Sequence, residues 1–173
     1  MTEVKKSGQS SRSSHKNKYI TFFLDSEEYG VEIYKVKEII GIMDITSVPS
    51  TPTYIKGVLN LRGKIVPIID LRLKFGLEFK EYADRTSIIV IEMDINGKIT
   101  PIGIVVDTVE KVLQINEEDI EETPSFGVNI NTEFILGMAK VEDTVKILLN
   151  INKILTSEEL TFINKISGDK EIE

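Results

Sequence analysis

The sequence predicts an all-β fold in which one supersecondary pattern is used twice. Three observations point there. Short apolar runs with period-two alternation recur at close spacing, separated by turn residues. Helical periodicity is confined to one short segment and one stretch near the C-terminus. Residues 54–63, YIKGVLNLRG, also return eighty positions later as FILGMAKVED, residues 134–143. Both stretches open aromatic-Ile-x-Gly and continue in apolar alternation. One ends Asn60-Leu61-Arg62-Gly63 and the other Lys140-Val141-Glu142-Asp143, so a cation stands where its copy has an anion.

Residues 1–17 are Ser- and Lys-rich and lack apolar anchors, the composition of a disordered polar tail. Order is expected from Lys18. KYITFFL (18–24) is aromatic and β-branched, and with YGVEIYKV (29–36) it forms a hairpin around the polar DSEE. Pro49 and Pro52 exclude a central strand or a helix from MDITSVPSTPTY. KGVLNL and KIVPIIDL then read as two strands turning at Arg62-Gly63, with an edge or a bulge at Pro67, which has no N–H to donate. DLRLKFGL (70–77) makes one short helix stopping at Gly76. TSIIVIEM (86–93) and KITPIGIVVD (98–107) flank Asn96-Gly97, the strongest short hairpin signal in the chain. FILGMAKV and TVKILLNI form a further pair around Glu142-Asp143. NKILTSEELTFINKI (152–166) is the C-terminal helix, with Ile154, Leu155, Leu160 and Ile163 apolar.

The repeat extends beyond its first match. YGVEIYKVKEII (29–40) lies over IGIVVDTVEKVL (102–113), aligning Gly30 with Gly103, Ile33 with Val106, Val36 with Val109 and Ile39 with Val112. Pro49 and Pro124 precede the two aromatic-Ile-x-Gly strands. Blocks 29–71 and 102–151 therefore predict two similar β-subdomains across a pseudo-two-fold axis, with an apolar interface because neither copy alone could bury a sufficient core. Positions apolar in both copies serve folding or a shared surface. Positions that disagree, Arg62 against Glu142 above all, serve what one copy does alone.

Composition excludes several function classes. The chain has 173 residues, room for one domain or two small subdomains, and no Cys, so thiol catalysis and disulfides are out. A net charge of −7 argues against nucleic acid. The single His, His15, lies in the tail, and no Gly-rich phosphate loop occurs. EEDIEE (117–122) lacks the ligand alternation and the Gly of a calcium loop, so it reads as a solvated acidic connection. No apolar run approaches the ~18 residues of a membrane span, and the N-terminus has no secretory hydrophobic segment. The expectation is a non-enzymatic, cytoplasmic monomer without cofactor or metal. Arg62, with five donors in a fixed fork, could organise neighbouring loops or clamp a partner carboxylate.

Taken together, EEYGVEIYKVKEII, VPSTPTYIKGVLNLRGKIVPIIDLRLKFG and IGIVVDTVEKVL resemble the bacterial chemotaxis coupling family, CheW, over residues 18–160. The resemblance implies two intertwined five-stranded SH3-like barrels with short helices and a C-terminal helix that ends, with the tail, over 161–173. It implies an adaptor that joins the cytoplasmic tip of methyl-accepting chemotaxis receptors to the regulatory domain of the histidine kinase CheA, recruited to membrane receptor arrays. Receptor contacts carried over by motif are Ile20, Ile33, Val36, Ile39, Asn60, Arg62 and Val109. Glu38, Gly57 and Gly63 fall where coupling to the kinase is sensitive. The chain departs from the family pattern in Thr-Pro-Thr-Tyr after Val-Pro-Ser, in a lengthened PSFGVNINTE loop, and in its polar N-terminus. A detached CheA regulatory domain would share the fold; starting at Met1 with no room for a kinase domain favours the stand-alone adaptor. A small nucleic-acid-binding barrel is the reading from another class, disfavoured by the charge.

Overall fold

A computed structural model of the chain describes residues 16–122 and 133–172, with side chains as far as residue 166. The expectations for the tail, His15 and the lengthened loop fall largely or wholly outside the described residues. Eleven strands are described: β1 (Lys18–Leu24), β2 (Glu27–Glu32), β3 (Val36–Gly41), β4 (Ile55–Leu61), β5 (Lys64–Asp70), β6 (Ser87–Ile95), β7 (Lys98–Val106), β8 (Thr108–Gln114), β9 (Ile120–Glu121), β10 (Ile135–Val141) and β11 (Thr144–Leu149). Two α-helices accompany them, α1 (Leu71–Lys74) and α2 (Ser157–Ile172).

The strands form two sheets, ordered β8-β1-β2-β11-β10-β9 and β3-β6-β7-β5-β4. Under the repeat, β1 to β5 correspond to β6, β7, β8, β10 and β11. The second order is then the first five strands of the other sheet with the two halves of the chain exchanged. Each sheet takes one hairpin from one half, β1–β2 or β6–β7, and three strands from the other, with the short β9 added at the edge of the first. The halves are therefore intertwined, joined at the only two parallel pairings among the described strands. These are equivalent: Gly30 opposes Leu148, and Gly103 opposes Ile68.

This exchange decides where the core sits. One face of each sheet packs into a shared cluster that includes Ile20, Phe22 and Val31 from one sheet and Ile69, Ile89, Ile91 and Ile104 from the other. The opposite faces curl around smaller clusters of their own, Leu59, Val66, Ile68, Ile88, Val90 and Val105 in one and Tyr19, Ile115, Ala139 and Leu148 in the other. Strands apolar on both faces follow, which is why β6 reads as a nearly continuous run, SIIVI, and not as strict alternation.

Several boundaries differ from the sequence expectation. The strand expected over 29–36 stops at Glu32, and Ile33–Lys35 form a 3-10 turn before β3 begins at Val36. The bend is needed because the chain leaves one sheet there and enters the other. The turn packs against both β1 and β6. Pro67 lies in β5, an interior strand and not an edge. The residue tolerates this place because the ladder to β7 begins one residue later, at Ile68. The irregularity in this pair falls beyond it, between Ile55 and Gly57 on β4, opposite Ile69 and Ile68. The C-terminal helix begins at Ser157 and not at 152. Thr156 caps it: the Glu159 N–H donates to Thr156 Oγ1 at 3.2 Å, and the Thr156 N–H donates to Glu159 Oε1 at 2.8 Å. Ile154 and Leu155 are buried, but ahead of the helix. The Asn96-Gly97 turn has both φ values positive, 54° and 84°, as an Asn-Gly hairpin requires.

Candidate partner-binding surface between the two sheets

Val36 and Val109 each stand at the start of an edge strand, just after one of the two places where the chain crosses between sheets. Val36 opposes Ile91 on β6, and Val109 opposes Phe22 on β1. Both valines are half-buried and pack on the shared cluster, as does Ile33 in the 3-10 turn. Further along the same edge strands, Ile39 and its repeat partner Val112 are exposed. Each half thus contributes partly exposed aliphatic residues beside the shared core. Ile20 does not share that exposure. It is 5% exposed and faces the core with Phe22 and Leu24, directly beside its register partner Val112 in the β1–β8 ladder. Its contribution is to the buried floor beside these residues, because β1 is an interior strand and β8 is the edge.

Arg62 and Gly63 form the β4–β5 turn with φ values of 52° and 87°. The Asn60 side chain accepts the Gly63 N–H through Oδ1 at 2.9 Å, which closes the turn locally. Asn60 is therefore partly committed to its own hairpin. Gly63 satisfies the positive φ, and an added Cβ there would meet nothing within 4 Å. Gly57 is different. It is buried, with φ of 141°, and a Cβ at this position would lie 1.9 Å from the Thr46 carbonyl oxygen. Thr46 and Val58 exchange two backbone hydrogen bonds of 2.8 Å across this approach, an isolated bridge beside β4. Gly57 thus offers no side chain or surface of its own; it admits a neighbouring segment.

Arg62 is 65% exposed at the side chain and ion-pairs with Glu38 on β3. The two residues come from opposite edges of one sheet, so the pair draws the edges together as the sheet curls. The other sheet repeats the arrangement with the signs exchanged: Lys111 on β8, aligned with Glu38, donates to Glu142 Oε1 at 3.1 Å. That hydrogen bond raises the Lys111 ammonium above its ordinary value. The contrast of Arg62 with Glu142 is therefore half of a charge-inverted pair. Alignment of Glu38 over Lys111 together with Arg62 over Glu142 was the signal from which this pairing could be read.

Other ionic groups were not singled out from the sequence. Arg72 Nη1 bonds Asp25 at 2.6 Å and Asp107 at 2.8 Å, pinning the β1–β2 turn and the β7–β8 crossing to α1. Lys146 and Glu28 form a buried pair at 2.8 Å across the parallel β2–β11 contact. Their repeat partners, Val66 and Pro101, are apolar, so sequence patterning carried no warning of charge there. Among the described residues, no group of three or more His, Cys, Asp or Glu side chains is placed to hold a metal ion. No described helix is long and apolar enough to cross a membrane.

The family profile described as a CheW-like domain matches residues 18–159. The chain belongs to the CheW family. It is 42% identical to the chemotaxis protein CheW of Klebsiella aerogenes over 149 residues, covering 86% of this chain and 87% of that one. The CheW of Bacillus subtilis is 35% identical over 143 residues, covering 82% and 88% respectively. Among solved structures, the crystal structure of the scaffolding protein TtCheW from Thermoanaerobacter tengcongensis superposes with a TM-score of 0.73 at 36% identity. It covers 84% of this chain and 92% of that one. Membership in the CheW family makes the protein a chemotaxis signalling adaptor, not an enzyme. The mainly β, two-sheet architecture agrees with that assignment.

Proposed function

We propose that this adaptor couples methyl-accepting chemotaxis receptors to the histidine kinase CheA by laying an amphipathic receptor helix along the strip of Ile33, Val36, Ile39 and Val109. Ile20 supports the strip from the core side, and Asn60 and Arg62 sit at the neighbouring hairpin. An exposed aliphatic row suits the apolar face of such a helix, with anchors at helical spacing. The observation that carries this reading is the equivalence of Val36 and Val109. The two halves of the chain place the same residue at the same point beside the shared core, and both residues stay partly open to solvent. A residue needed for packing alone would be covered, as the aligned Ile20 and Ile89 are.

Coupling to the kinase falls to the Glu38–Arg62 pair and the Gly63 turn, with Gly57 acting through the segment it admits. Contact with the CheA regulatory domain would be barrel against barrel, a modest interface of the transient kind. Binding a receptor tip would hold the adaptor in arrays at the cytoplasmic side of the membrane. Titration of a receptor cytoplasmic fragment and of the CheA regulatory domain into wild type, Val36→Asp and Val109→Asp tests the reading. Receptor binding should weaken while kinase binding holds. Equal loss of both, or unchanged receptor binding, would refute it.

A further inference from the structure

The pseudo-two-fold axis relates two grooves whose coverings differ. One, about 450 Å³, is lined by Arg85, Thr86, Val105 and Asp107 together with Tyr82. The other, about 390 Å³, is lined by Lys16, Asn17, Glu32 and Tyr34 together with Leu136. The registers make these equivalent places. Thr21 opposes Gly30 in β1–β2 as Val90 opposes Gly103 in β6–β7, which sets Lys16, Asn17, Glu32 and Tyr34 over Arg85, Thr86, Val105 and Asp107 in turn.

In the first groove the chain leading into β6 forms one wall. Tyr82 packs on the cluster of Leu59, Ile68 and Ile88, and its hydroxyl donates to Asp70 Oδ2 at 2.7 Å. The Thr86 hydroxyl holds the segment by accepting the Ala83 N–H at 2.8 Å. Burial and that bond to Asp70 push the Tyr82 phenol far above its ordinary range, so it stays a donor. The segment leading into β6 is thus a strap over one end of the curled sheet.

The second groove has no such strap among the described residues. Two of its apolar side chains are open: Tyr34 is 61% exposed and Leu136 42%. Its rim carries Glu32, Glu117, Glu121 and Glu122. The acidic run EEDIEE, which no other feature of the molecule explains, supplies three of those four carboxylates. The chain leading into β1 enters the groove at Lys16 and Asn17. Residues 5–16 upstream carry Lys5, Lys6, Arg12 and Lys16 and no acidic residue.

We infer that the basic segment upstream of β1 docks against this acidic groove, as residues 80–86 wall its counterpart. Three independent features select this occupant: the equivalent segment does the same in the other half, the charges are complementary, and the tether begins at the groove itself. Ser13 falls over Tyr82, so the segment brings no aromatic plug. The contact therefore rests on charge, adds little to global stability, and weakens with salt.

The absence of cysteine permits a direct test on the full chain. Ser13→Cys carrying a nitroxide should broaden the amide resonances of Tyr34, Ile120, Glu121 and Leu136 several-fold at low ionic strength. The broadening should disappear in 1 M NaCl, where the screening length is about 3 Å, and in the Glu121→Lys, Glu122→Lys background. Unbroadened resonances at low salt would overturn the proposal. So would broadening that survives both salt and charge reversal, or that appears at the Tyr82 groove instead.

Discussion

Replacing Gly57 by Ala is the sharpest perturbation of the candidate site. The new Cβ would sit 1.9 Å from the Thr46 carbonyl oxygen, a backbone atom that cannot rotate away, at a φ of 141° that L-residues rarely adopt. The backbone strain costs roughly 1–3 kcal/mol. Separating Thr46 from Val58 breaks two hydrogen bonds worth roughly 0.5–1.5 kcal/mol each. The expected destabilisation is therefore about 2–6 kcal/mol, or a melting temperature lower by about 5–20 °C at roughly 2–4 °C per kcal/mol for a chain of this size. The repeat supplies a control. At Gly137 an added Cβ meets Ile120 Cγ2 at 2.5 Å, the movable end of a side chain, and Glu121 O only at 3.0 Å. Gly137→Ala should cost clearly less. Thermal melts of wild type and both variants, with receptor-dependent CheA autophosphorylation measured well below each transition, separate folding from coupling. If Gly57→Ala melts within about 2 °C of wild type, or if Gly137→Ala is the more damaging change, the close approach of Thr46 is not what requires the glycine.

Arg62→Ala should cost about 1 kcal/mol or less, as an exposed ion pair does, yet impair receptor-coupled kinase activation. The double variant Glu38→Lys, Arg62→Glu reproduces the Lys111–Glu142 pair and should recover stability but not coupling; recovery of both in paired melting and kinase assays would leave Arg62 no role beyond the fold. Val36→Asp and Val109→Asp should weaken receptor binding in calorimetry while remaining folded, and unfolding of either by circular dichroism would assign that valine to the core. Lys146→Ala should destabilise by about 3–5 kcal/mol in urea titration because Glu28 is left buried and unpaired; a loss below about 1 kcal/mol would mean that the pair is already solvated. Burial works to raise the Glu159 carboxyl, but hydrogen bonds from Lys74, Tyr54 and the Thr156 N–H hold it below its ordinary value of 4.5. A depressed carboxylate stabilises the fold above the unfolded value and loses that contribution as pH falls through the folded one. The stability gap between wild type and Glu159→Gln should therefore be full at pH 7 and shrink below about 4.5, and a gap independent of pH in urea titrations would remove Glu159 from this account.

Local chemistry alone settled much of this protein. Alternation, turn residues and the Asn-Gly and Arg-Gly pairs determine the hairpins, because each depends on neighbours a few residues away. The duplication was legible for the same reason: both copies must solve one local problem, and Val36 over Val109 is one of its marks. The start of the C-terminal helix was equally local, in the capping box Thr156-x-x-Glu159, but the apolar pattern alone placed it at 152 and missed it. What only the tertiary structure decided depends on strands that sequence separation does not order. Exchange of hairpins between the sheets turns Ile33–Lys35 into a crossover, buries Ile20 while its neighbour Val112 stays exposed, and places Pro67 inside a sheet just short of the ladder. It also brings Glu38 to Arg62 and Lys111 to Glu142, pairs formed when each sheet curls until its edges meet. Whether an aliphatic residue becomes floor or exposed strip depends on which strand ends as the edge, and that is set by the pairing of distant segments and not by the pattern along any one of them.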